Sequence, residues 1–96
     1  MSQHDEIVEC IRKVYGLSGK QKEVDGFVDI AEDQKFEVEL SGKPEKFAWA
    51  MLKLSKGEHG ILFVLPEHLK KAIKYKESYG FDKIEVRPIP KECVIS

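Results

Sequence analysis

Between Asp5 and Leu17 the apolar residues Ile7, Val8, Ile11, Val14 and Tyr15 recur at three- and four-residue spacing. That period predicts an amphipathic helix closed by Gly16 or Gly19. A polar, Lys-rich stretch follows from Ser18 to Glu23, and then the period changes to two. From Val24 to Ala31, Val28 and Ile30 point one way while Phe27, Asp29 and Ala31 point the other. Glu32-Asp33-Gln34 reads as a turn. Lys35 to Ser41 alternates again, with Phe36, Val38 and Leu40 on one face and Glu37, Glu39 and Ser41 opposite. Residues 24–41 are therefore expected to form an antiparallel hairpin.

Gly42-Lys43-Pro44 breaks the second strand, and Pro44 suits the first turn of a helix over Glu45–Leu54. Lys56-Gly57 stops that helix. The run Gly60 to Leu65 is continuously apolar, as in a strand covered on both faces and parallel to a neighbour. A further helix spans His68 to Tyr79 and ends at Gly80, and Lys83 to Ile89 alternates as a last strand before the proline breaks. The order α-β-β-α-β-α-β predicts an α/β sandwich with a mixed central sheet. Val28, Ile30, Phe36, Val38, Leu40, Ile61, Phe63 and Leu65 are its expected core strand residues.

Ninety-six residues suffice for a single domain over residues 1–96, with a site that is shallow or shared between subunits. Sixteen basic side chains against seventeen acidic ones exclude a histone-like positive coat but leave room for a local basic patch. The longest apolar run is too short to cross a bilayer, and the N-terminal residues lack the charged-then-apolar order of a signal peptide, so a cytoplasmic protein is expected. Cys10 and Cys93 lie far apart with no C-x-x-C spacing. Two half-buried free thiols are expected, with a disulfide as the alternative in a protein from a hot source. Asn and Thr are absent while Lys (14) and Glu (12) dominate the charge, which is a thermophile tendency.

Glu37 and Glu39, at i and i+2 of a strand, share a face about 7 Å apart. Packing Val28 and Ile30 with Phe36, Val38 and Leu40 forces odd positions to oppose odd positions across the hairpin, which brings Asp29 beside Glu37 or Glu39. Three carboxylates on one patch repel unless the face is well solvated or binds a cation. A hard divalent ion, Mg²⁺ or Mn²⁺, suits such oxygen donors. The alternative is a solvated face whose acids keep an edge hairpin soluble.

A strand carrying Asp29, a turn, the strand Phe36-Glu37-Val38-Glu39-Leu40-Ser41-Gly42-Lys43, a helix and then an apolar strand resembles the PD-(D/E)XK, or restriction-endonuclease-like, phosphodiesterase superfamily. The Glu-Val-Glu-Leu-Ser-x-Lys string looks like the variant found in plasmid and archaeal mobile-element proteins. The resemblance implies a metal-dependent nuclease in which Asp29 (or Asp25, for a longer hairpin) and Glu37 bind the metal, with Glu39 beside them. It also implies a lysine that orients or activates the attacking water. Here the sequence departs from the pattern, because Glu39 occupies the position two after Glu37 and Ser41 the position two after Glu39. Lys43, or Lys46 on the following helix, is the lysine expected to reach back.

Lys70, Lys71 and Lys74 project from one side of the last helix, either as a solvated face or as a phosphate-binding strip, and the resemblance implies nucleic acid, DNA before RNA, as the partner. Trp49 falls off the apolar stripe of its helix, which suits a dimer contact or nucleic-acid stacking as well as core packing. His4, His59 and His68 occur singly without ligand spacing. Cleavage of a duplex needs one site per strand, so a homodimer is expected. The alternative function is a catalytically silent domain of the same fold that binds DNA or protein as a regulatory or assembly subunit.

Overall fold

The computed structural model describes residues 2–15, 35–56 and 60–94. Helix α1 runs Gln3–Val14, two residues earlier than its apolar stripe suggests, because Ser2 caps it. The Ser2 hydroxyl accepts the Asp5 N–H at 3.2 Å, and Asp5 and Glu6 sit in the first turn opposite Arg12 and Lys13 in the last. Strand β1 is Lys35–Glu39, α2 is Pro44–Leu54 and β2 is Gly60–Val64. A 3-10 turn at Pro66–His68 leads into α3, Leu69–Tyr79. Gly80 closes α3 in the left-handed conformation at φ 69°, where a side chain would be strained. Strand β3, Ile84–Pro88, is followed by a 3-10 turn at Lys91–Cys93.

The described strands form one sheet in the order β1-β2-β3, and both pairings are parallel. Since β1 and β2 run the same way, α2 must return along the sheet between them, and α3 does the same between β2 and β3. Every residue of β2 is buried, as a central strand covered on both faces requires. The register aligns Val38 with Phe63 and Arg87 on one face, and Glu37 with Leu62 and Val86 on the other. The architecture is thus α/β. The expected strand over 24–31, with Val28, Asp29 and Ile30, lies outside the described residues, as do His59 and the glycines expected to end the first helix.

Two apolar layers enclose the sheet. On one side Ile7, Ile11 and Tyr15 of α1 cover Val38, Ile61, Phe63 and Ile89, with Phe36, Leu40 and Leu65 packed at the margin. Phe63 is central here, meeting Tyr15 and Phe36 edge-on at 5.7 Å between ring centroids in each case. On the other side Phe47, Ala50, Met51 and Leu54 of α2 and Ala72 of α3 cover Leu62, Val64, Ile84 and Val86. No helix among the described residues is long and apolar enough to cross a membrane.

One feature departs from the sequence reading. Cys10 and Cys93 are not free thiols: they form a disulfide with Cα atoms 5.6 Å apart. The reason is tertiary, since the last 3-10 turn packs directly against α1 and so brings residues 83 positions apart face to face. Arg87 is buried on the α1 side of β3. Its guanidinium bonds Glu85 on the same strand face and lies 5.6 Å from the centre of the Tyr15 ring, so both a carboxylate and a π-face balance its charge.

Candidate functional site

The connection from β1 to α2 is built by short-range hydrogen bonds. Glu39 Oε2 accepts the Ser41 N–H at 3.0 Å, and the Ser41 hydroxyl accepts the Lys43 N–H at 3.1 Å. These bonds satisfy donors where the strand ends and before the helix ladder begins. Gly42 lies between them because the His68 imidazole fills the space a side chain would need: a Cβ there would stand 2.6 Å from His68 Cε1. The chain turns tightly and α2 folds back over β1.

That return sets which α2 residues meet which β1 residues. Pro44 begins α2 beside the C-terminal end of β1, so successive helical turns move back toward Lys35. Lys53, in the last turn, therefore reaches Glu37, with Nζ 3.8 Å from Oε1. Trp49 and Ala50 lie between. From the other side, His4 of α1 donates through Nε2 to the Val38 carbonyl at 3.1 Å, which identifies that nitrogen as the protonated one. Together His4, Glu37, Glu39, Trp49, Ala50 and Lys53 line a cleft of about 320 Å³. The cleft thus brings together two carboxylates, an ammonium, an imidazole and an indole.

Of the residues expected to act together, Glu37 and Glu39 do share this cleft, and Asp29 lies outside the described residues. Lys43 is exposed at the N-cap of α2 and is tied to the turn by its backbone. Lys46 is exposed in the first turn. Among the described residues the lysine paired with Glu37 is Lys53, two helical turns beyond Lys46 on the same side of α2. Its signal in the sequence is that phase, readable once the helix is known to run antiparallel to the strand. His4 has no such signal, because its contact depends on how α1 crosses the sheet.

Lys70, Lys71 and Lys74 are exposed on α3, as a solvated or phosphate-binding face requires. Lys70 and Lys74, with Ile73, Glu77 and Ser78, border a second, open groove of about 430 Å³ along that helix. Among the described residues no group of three or more His, Cys, Asp or Glu side chains is placed to share a metal ion. The pair Glu37 and Glu39 remains chemically suited to a hard cation, because Mg²⁺ is commonly held by one or two carboxylates together with substrate phosphate oxygens. Comparison with protein-family models, with characterised proteins and with solved structures finds no match.

Proposed function

We propose that the chain is a metal-dependent nucleic-acid phosphodiesterase of the PD-(D/E)XK type, working from the cleft between β1 and α2. The observation that carries this reading is the pairing of two carboxylates on one strand face, Glu37 and Glu39, with a lysine ammonium 3.8 Å from Glu37. In this reading β1, α2 and β2 are the parallel half of a restriction-endonuclease-like mixed sheet, and residues 24–31 supply the antiparallel partner that carries Asp29.

Glu37 and Glu39 would hold Mg²⁺ or Mn²⁺, with Asp29 as a third ligand. The bound ion supplies charge neutralisation at the phosphate and a more acidic water. Lys53 takes the part of the lysine that the Glu-x-Lys pattern lacks here, orienting the attacking water and offsetting charge that develops on the phosphate oxygens. Lys70, Lys71 and Lys74 are proposed as phosphate contacts that position DNA without reading its sequence. A homodimer would carry two such clefts, one in each protomer.

A second reading is favoured by a specific observation. Glu39 Oε2 already accepts the Ser41 N–H, and Glu37 is already paired with Lys53. Both carboxylates thus have partners within the chain, as in a silent DNA- or protein-binding domain of the same fold. A nuclease assay on single-stranded, duplex and branched DNA, with Mg²⁺ and with EDTA, separates the two. Mg²⁺-dependent cleavage lost in Glu37→Gln supports the enzyme, and DNA binding without cleavage supports the silent domain.

A further inference from the structure

The outer face of α2 carries an exposed indole among charged side chains. Phe47, Ala50, Met51 and Leu54 form the buried stripe of this helix, whereas Trp49 is 66% exposed. A tryptophan this open loses most of the benefit of burial, and Leu52, beside it one turn on, is also exposed at 52%. Lys46 precedes Trp49 by three residues and Lys53 follows it by four, so both lie on its side of the helix, as does Glu45 in the first turn, and Lys56 stands in the turn just beyond the helix end. Each of them is exposed. The result is a strip of lysines with an indole in its middle. The same indole lines the cleft together with Glu37 and Glu39.

This combination selects among nucleic-acid partners. Lysines attract phosphates without regard to sequence, and an exposed indole offers a flat π-face on which any base can stack. Within a duplex the faces of the bases are already covered by their neighbours, so a protruding tryptophan has nothing to stack on. An unpaired base has a free face. The lysines draw the backbone along the strip, which leaves a base free to lie over Trp49. We infer that the α2 face of Lys46, Trp49 and Lys53, with Lys56 just beyond its end, binds single-stranded nucleic acid, with Trp49 stacking on an unpaired base at the mouth of the Glu37/Glu39 cleft. The inference rests on reading that cleft as a phosphodiesterase site, and it names the substrate class as single-stranded or locally unpaired nucleic acid.

Trp49 is the one tryptophan in the sequence, so its fluorescence reports the contact directly. The full chain is titrated with short oligo(dT) and with a blunt duplex of equal length, in Ca²⁺ and in EDTA. Saturable quenching by oligo(dT), and weaker binding of the duplex, is expected. Anisotropy of a labelled oligo(dT) then compares variants: Trp49→Phe retains most of the affinity, Trp49→Ala loses about tenfold, and Lys46→Ala/Lys56→Ala flattens the salt dependence. Circular dichroism shows whether each variant is folded, and Trp49→Phe keeps the comparison decisive should Trp49→Ala not fold. Three results would overturn the inference: no quenching, duplex bound as tightly as single strand, or a homodimer that buries Trp49 and excludes oligo(dT). Parallel samples in Mg²⁺ are scored for cleavage. Quenching without cleavage upholds the binding strip and defeats the phosphodiesterase reading; cleavage without quenching does the reverse.

Discussion

Lys53 Nζ stands 3.8 Å from Glu37 Oε1, across the junction of the last turn of α2 and the middle of β1. Lys53 is 65% exposed and Glu37 35%, so the pair is largely solvated and contributes less than about 1 kcal/mol to folding. A contact worth so little to stability still fixes where a positive charge stands relative to two carboxylates. Its consequence is chemical more than structural.

Lys53→Met keeps the aliphatic stem and removes the ammonium. Denaturant unfolding should show a stability change within about 1 kcal/mol of wild type. Mg²⁺-dependent cleavage should fall about 100-fold or more. Lys43→Met, at the exposed N-cap, should leave the rate near wild type. The opposite pattern, with Lys43 required and Lys53 dispensable, would move the lysine role to the end of the strand.

The Cys10–Cys93 bond closes a loop spanning 83 positions. The chain-entropy account gives about 4.5 kcal/mol for a loop of this length, a large part of the stability of a small domain. Cys93→Ser should therefore lower the unfolding free energy by roughly 2–4 kcal/mol in guanidinium titrations. Because one substitution already breaks the bond, adding Cys10→Ser should cost little more. Equal stability of wild type with and without reductant would rule out the bond.

Gly42→Ala would place a Cβ 2.6 Å from the His68 ring. Overpacking of this kind costs about 1–3 kcal/mol. The double variant Gly42→Ala/His68→Ala should recover most of that loss in thermal unfolding. A neutral Gly42→Ala would mean that the imidazole swings away at no cost.

How much of this was legible in the sequence differs from element to element. The alternation of Phe36, Val38 and Leu40 against Glu37 and Glu39 placed both faces of β1 correctly, since side-chain direction in a strand follows from the backbone alone. The unbroken apolar run in β2 marked a central strand for the same reason. Helical phase took Trp49 off the apolar stripe but left core packing open, and its 66% exposure is decided by what α2 packs against. The disulfide was not legible, because it depends on the C-terminal turn packing on α1. Lys53 required the direction of α2 over β1. Arg87 required knowing that Glu85 and Tyr15 would surround it: alternation shows which face a residue takes but not what covers that face.

The central claim is that Glu37 and Glu39 bind a divalent cation, and calorimetric titration with Mn²⁺ tests it most directly. Wild type should bind saturably, and Glu37→Gln and Glu39→Gln should each lose most of that binding. Lys53→Met should bind more tightly, because the ammonium beside Glu37 competes with the ion for the same carboxylate. A wild-type chain that takes up no Mn²⁺, or one whose uptake survives both glutamine substitutions, would contradict the account.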